Sequence, residues 1–170
     1  MIRTLRWEDM NDIVSNYYSF YDELKVDPDF GIIFYPTKPD YESEIAWFAG
    51  LYRDMLLGDV VAVVAEEDGR VVGLCDVHRT RPKSELSHVG VLGITIRRGY
   101  RDRGIGTAMI EKALELSRDK FEIVRLDVFT VNSRAIALYR KLGFVEYGIF
   151  PASVKRGSRY YDQMMMYYKF

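Results

Sequence analysis

The spacing of apolar residues changes period at Gly58, and this change constrains the fold more than any other feature of the chain. Before it the spacing is helical. From Trp7 onward Met10, Ile13, Val14, Tyr17, Tyr21 and Leu24 fall on one helix face, with Glu8 and Asp9 at the start, where a helix dipole favours anions. Residues 25–39 hold Pro28, Gly31, Pro36 and Pro39 among apolar and aromatic side chains, which breaks the helix and predicts an inward-packing loop. Asp40 can cap a second helix carrying Tyr41, Ile45, Phe48, Tyr52 and Met55. After Gly58 the period is two. Residues 60–66 and 70–78 flank Asp68-Gly69, whose readiness for positive φ predicts a tight hairpin. A polar connection over 79–85 leads to a third strand over 86–96.

A second pattern follows the third strand. Gly106, Met109, Ile110, Ala113, Leu114 and Ser117 trace a helix face, 121–130 reads as a strand, and 132–142 as a helix closed by Gly143. Two strands, 144–154 and 160–168, surround a turn at Gly157-Ser158. With a short strand at the start, the order β-α-α-β-β-β-α-β-α-β-β is α/β, antiparallel in its first half and carrying a β-α-β unit in its second. No repeat or linker divides it, so residues 1–170 are expected to form one domain.

Charge narrows the partners. The 24 Lys and Arg nearly balance the 25 Asp and Glu, so no general attraction to nucleic acid or anionic membrane is expected. No apolar run approaches the roughly 20 residues of a membrane span. A single cysteine, Cys75, can make neither an intrachain disulfide nor a cysteine-based zinc site; no metal is expected, and the chain reads as cytoplasmic. Any anion site must be local. The candidate is Tyr100-Arg101-Asp102-Arg103-Gly104-Ile105-Gly106, a basic, glycine-containing loop between a strand and an amphipathic helix, where backbone N–H groups and the helix dipole can hold a pyrophosphate. A dinucleotide fingerprint would need glycine where Met109 stands, and a Walker A loop would need a lysine between Gly106 and Thr107. Taken alone, the loop is equally compatible with an exposed basic turn.

The loop is not alone. Arg101-x-x-Gly104-x-Gly106 is followed about thirty residues on by Asn132-x-x-Ala135-x-x-Leu138-Tyr139-x-Lys141-x-Gly143-Phe144. This pair of motifs resembles the GNAT superfamily of acetyl-CoA-dependent N-acetyltransferases, most strongly over residues 60–150. The resemblance implies a central mixed, mostly antiparallel sheet of about seven strands flanked by about four helices. It implies acetyl-CoA as cosubstrate, its pyrophosphate on the backbone of Asp102, Arg103, Gly104, Ile105, Gly106 and Thr107 within the motif opened by Arg101. Its pantetheine arm would lie beside Ile94, Thr95 and Ile96 and near Asn132. Tyr139 would be the general acid for the leaving thiolate. Asp127 matches the position of a basic glutamate in ribosomal-protein alanine N-acetyltransferases, one methylene shorter.

Residue spacing offers other proton acceptors: Asp76 with His78, two apart on one strand face, and Glu85 with His88. Cys75 alternates away from Asp76 and reads as a small core residue. Phe34 and Tyr35, between prolines, are the expected walls of an acceptor pocket that also takes in Asp76. The implied reaction is direct acetyl transfer in a ternary complex to a primary amine: a small amine, an amino acid or a peptide N-terminus. The alternative is a non-catalytic CoA-binding or ligand-sensing module on the same fold. Exposed strand edges leave room for a homodimer.

Overall fold

A computed structural model describes residues 1–170 as one seven-stranded sheet with helices on both faces. Strand β1 (Ile2–Thr4) leads into a 3-10 turn (Trp7–Asp9) and helices α1 (Met10–Val26) and α2 (Tyr41–Leu56). Strands β2 (Val60–Glu67), β3 (Arg70–Arg79) and β4 (Val89–Ile96) follow, then α3 (Ile105–Ser117), β5 (Ile123–Phe129), α4 (Ser133–Lys141), β6 (Val145–Arg156) and β7 (Arg159–Lys169). The sheet order is β1-β2-β3-β4-β5-β7-β6, and every pairing is antiparallel except β4–β5.

The apolar run of β2 is explained by burial on both faces. Val60, Ala62 and Val64 pack with Ile13, Phe48 and Leu51 beneath α1 and α2. Val61, Val63 and Ala65 pack on the opposite side with Met109, Ile110 and Ala113 of α3. Asp68 and Gly69 take φ values of 50° and 75°, the paired positive angles that the hairpin requires. Gly90 is dictated by contact: a Cβ there would stand 2.5 Å from Val77 Cγ1 and 3.3 Å from the Phe121 ring.

Two expected boundaries move, each for a local polar reason. Residues 7–9 form a 3-10 turn rather than the first turn of the helix, because the Asp9 carboxylate accepts from Arg6 N–H at 2.7 Å and from both terminal nitrogens of Arg3. The third strand begins at Val89, not at residue 86. Ser84 Oγ accepts from Leu86 N–H, Ser87 N–H donates to Ser84 O, and Arg79 donates to Ser87 O, so residues 84–88 satisfy their backbone in turns.

The parallel seam positions the site. β4 and β5 pair only at Val89–Ile123, Gly90–Val124 and Val91–Arg125, after which the two strands separate. From Leu92 to Ile96, β4 stays paired with β3 but not with β5. A cleft therefore opens in the middle of the sheet, between the C-terminal ends of two parallel strands.

Candidate active site

Alternation decides which peptide groups face the cleft. Arg97 N–H donates to Val72 O on β3, so the peptide groups of Leu92, Ile94 and Ile96 turn toward the β5 side and that of Thr95 turns toward β3. The three residues expected beside the pantetheine arm, Ile94, Thr95 and Ile96, thus face different ways. Ile94 presents its peptide to the cleft, Ile96 O accepts from Arg101 Nε at 2.8 Å, and Thr95 contributes instead to the wall of a cavity described below.

Beyond Ile96 the chain turns through the basic loop into α3. Gly99, Asp102 and Gly104 have φ of 90°, 66° and 77°, and Gly104 is the N-cap. None of the backbone N–H groups from Arg101 to Thr107 donates to an acceptor within the chain. Seven consecutive free donors, from Arg101 through Asp102, Arg103, Gly104, Ile105 and Gly106 to Thr107, therefore lie at the N-terminus of α3, an arrangement whose dipole and N–H groups suit an anion. Gly106 lets this end of α3 approach closely, since a Cβ there would sit 3.4 Å from Ile96 and 3.5 Å from Leu138.

The side chains of the loop divide. Arg101 is engaged in structure: its guanidinium forms a two-pronged ion pair with Glu23, which is 8% exposed, and lies 4.8 Å from the centroid of the Phe30 ring. Arg103 is exposed over the Tyr100 ring. Arg134, from the first turn of α4, pairs with Asp102 and joins Arg98 and Arg101 around a polar cavity of about 420 Å³ beside the loop.

Helix α4 supplies the other motif. Asn132 caps it, its Oδ1 accepting from Ala135 N–H at 3.2 Å, while its Nδ2 lies against Gly31 of the aromatic loop. Tyr139 is 7% exposed and stacks edge-on against Phe144. Its hydroxyl makes no hydrogen bond in the chain, yet it is not sealed from solvent. Burial raises its pKa, which keeps the phenol protonated at neutral pH. Cys75, fully buried in the same apolar cluster with its pKa also raised by burial, is the inert core residue that its alternation indicates.

On the opposite face of the sheet lies a cavity of about 220 Å³ between α1, α2 and strands β3 and β4. Its walls include Tyr17, Phe20, Tyr35 and Trp47, and its floor includes Asp76, beside Gly93. Asp76 shares a 2.6 Å hydrogen bond with His78 Nε2, and this carboxylate raises the pKa of His78 above its usual 6.5. Phe34 is behind the wall rather than in it, packed on Tyr17, Tyr21 and Phe30, because the loop is anchored by its own aromatic cluster. Asp127 lies outside the cavity lining, with Arg125 at 3.3 Å; strand alternation sets it on the face away from Leu126 and Tyr139. Glu85 and His88 belong to the turns before β4 and do not line the cavity.

Three residues at the site escaped the motif reading. Glu23 and Glu44 are buried carboxylates on the apolar stripes of α1 and α2, in phase with Asn16 and Phe20 in one case and Phe48 and Leu51 in the other. A charge on an apolar stripe is the signal that could have found them. Arg156 carries no such signal: from β6 it donates to the carbonyls of Pro28, Phe30 and Ile32 and lies over Phe34 and Tyr161, clamping the aromatic loop.

Comparison with known proteins agrees with this geometry. An L-amino acid N-acetyltransferase of Escherichia coli (strain K12) is 31% identical over 107 residues, 61% of this chain. The chain spans 65% of that relative's length. A ribosomal-protein-alanine N-acetyltransferase from Brucella melitensis superposes with a TM-score of 0.85 at 23% identity, over 100% of this chain and 99% of the other. A phosphinothricin acetyltransferase from Sinorhizobium meliloti, solved with acetyl-CoA, gives 0.80 at 22% identity, over 99% and 87%. The sheet with its helices is the fold that these proteins share. The model of the Acetyltransferase (GNAT) family matches residues 7–144, most of the chain, and the protein belongs to that family.

Proposed function

We propose that the protein is an N-acetyltransferase that moves the acetyl group of acetyl-CoA directly to a primary amine in a ternary complex. The observation that carries this reading is the splayed β4–β5 seam, which ends at seven unpaired N–H groups and has Tyr139 on one face and the Asp76 cavity on the other. The N–H groups of residues 101–107 fit a pyrophosphate, the peptide of Ile94 fits an amide-bearing arm lying along β4, and Asn132 stands beside that path. Acetyl-CoA supplies an activated acetyl thioester. The amine nitrogen forms a bond to the acetyl carbon as the carbon–sulfur bond breaks. The Tyr139 hydroxyl delivers its proton to the departing sulfur, and the proton lost by nitrogen passes to Asp76 and His78. Asp127, on the Asp76 side of the sheet, is a second carboxylate that water can connect to the amine.

The same reading puts the protein in the cytoplasm as one domain over residues 1–170. No helix is long and apolar enough to cross a membrane. A second copy would pair along β6, an outer strand exposing Tyr147, Ile149 and Phe150. The test is CoA release from acetyl-CoA across polyamines, amino acids and peptides with free N-termini, alongside calorimetric binding of acetyl-CoA. Acetylation of at least one class supports the reading; tight acetyl-CoA binding with no acetylated product removes it.

A further inference from the structure

The cavity holds a negative charge that the chain leaves unanswered. Glu44 is 6% exposed and lines the cavity, no donor in the chain reaches its carboxylate, and its oxygens are not sealed from solvent. Burial raises its pKa, so ionised Glu44 weakens the folded state unless something cationic arrives to meet it.

Nothing in the walls does so. The fifteen lining residues include Glu44 and Asp76 but no lysine, arginine or histidine. Three cationic side chains touch the lining from behind, and all are engaged. Arg156 commits its guanidinium to the carbonyls of Pro28, Phe30 and Ile32. Arg97 donates to Asn16 Oδ1 at 3.0 Å, and Asn16 donates in turn to Val71 O. His78 is bound to Asp76 and offsets that carboxylate when protonated. Glu44 is therefore the uncompensated charge of a cavity otherwise walled by Tyr17, Phe20, Ile32, Tyr35 and Trp47, side chains whose apolar surfaces and ring faces suit a cation on a hydrophobic body. A volume of about 220 Å³ leaves room for a small amine.

We propose that the acceptor is a small cationic amine with an apolar or aromatic body and no carboxylate, its charged nitrogen held on entry by Glu44. This rests on the acetyltransferase reading given above. A free amino acid brings a carboxylate into a cavity that already carries negative charge and has no cation in its walls, the guanidiniums behind them being held by Asn16 and by loop carbonyls, so the pocket disfavours it.

Matched pairs that differ by the carboxylate alone test this: tyramine against tyrosine, phenethylamine against phenylalanine, cadaverine against lysine. With acetyl-CoA saturating, kcat/KM for the amine of the preferred pair is expected to exceed that for its amino acid at least 100-fold. Glu44→Gln is expected to erase at least tenfold of that ratio, by raising KM for the amine, while acetyl-CoA binding and the unfolding midpoint do not fall. Preference for any amino acid or short peptide overturns the proposal, as does a ratio that Glu44→Gln leaves unchanged. If no compound is acetylated although acetyl-CoA binds, the acetyltransferase reading fails. Calorimetry on the CoA-bound protein then decides specificity: amine binding without amino-acid binding upholds the charge argument, and equal or absent binding of both ends it.

Discussion

Replacing Tyr139 by phenylalanine removes one oxygen and changes nothing else in the packing. The ring stays 7% exposed against Phe144 and within the cluster of Val128, Ile136 and Met164. Because its hydroxyl has no partner in the chain, no donor or acceptor is left orphaned, and the change in stability is expected within about 0.5 kcal/mol. Catalysis responds differently. A positioned general acid contributes roughly 10²–10⁴ in rate, so turnover falls by at least a hundredfold, about 2.7 kcal/mol of barrier. Since the proton moves only as the carbon–sulfur bond breaks, kcat and kcat/KM fall together while the Kd for acetyl-CoA is unchanged. The assay is steady-state CoA release combined with calorimetric acetyl-CoA binding and thermal unfolding of the same preparations. Tyr139→Ala is the contrasting variant: it opens a core cavity and costs about 3–5 kcal/mol of stability. Unchanged kcat in Tyr139→Phe would refute the assignment. So would a loss of activity that tracks a lowered Tm, because the tyrosine would then be structural.

Other variants examine the remaining parts of the site. Glu23→Gln weakens the hold on Arg101 and loosens the basic loop, so KM for acetyl-CoA rises about tenfold, or ~1.4 kcal/mol, with kcat nearly unchanged in steady-state kinetics. Asp76→Asn is expected to lower kcat more than Asp127→Asn, because only Asp76 lines the cavity; the reverse order would move the proton acceptor to Asp127. His78 has a raised pKa, so activity that depends on deprotonated Asp76–His78 rises with pH along a limb lying above 6.5, and His78→Asn removes that limb from the kcat/KM profile. The same shift makes the His78 contribution to stability complete below 6.5 and lost as pH rises through its folded value, so unfolding midpoints of wild type and His78→Asn converge at alkaline pH. Gly90→Ala forces a Cβ to within 2.5 Å of Val77 Cγ1, and costs about 2 kcal/mol, lowering Tm by roughly 4–8 °C in a thermal scan.

The parts of the molecule legible from the chain are those whose physics is local. The all-apolar run at 60–65 can be satisfied only by burial on both sides, and β2 is so buried. Asp68-Gly69 carries its own turn geometry, and Asn132 caps α4 where the residue order places it. Side-chain choices that depend on distant partners were not legible. Whether Arg101 holds a ligand or Glu23 depends on how α1 crosses the sheet, 78 residues earlier in the chain. Arg156 reaches carbonyls more than 120 residues away, and no spacing within β6 indicates it. Phe34 and Tyr35 look equivalent between their prolines, and only the aromatic cluster around Tyr21 decides that one packs and the other lines the cavity. Glu44 is legible in principle, as a carboxylate one helical turn from buried Phe48, but apolar periodicity alone does not mark it.

The division of labour across the sheet follows from a single topological fact. Antiparallel neighbours joined by hairpins stay paired to their ends, whereas β4 and β5 are parallel, joined through α3, and diverge after three residue pairs. Right-handed twist accumulates along each strand, and no turn ties these two C-terminal ends together. The gap lies between the two faces of the sheet. Tyr139, beneath it with α3, is kept protonated by burial; Asp76, above it with α2, keeps its partner His78 at the surface. Acid and base on one face could neutralise each other directly. In the proposed mechanism the sheet separates them, so a proton passes between them only through a molecule that threads the cleft, and the demand for both a donor and an acceptor is met without a short circuit. What threads the cleft needs a backbone partner there: Ile94→Pro, which removes the cleft-facing N–H at that level while β4 keeps its pairing with β3 through Thr95 and Gly93, is expected to weaken acetyl-CoA binding in calorimetry by about tenfold and leave the unfolding transition cooperative, and unchanged binding would refute a role for that N–H.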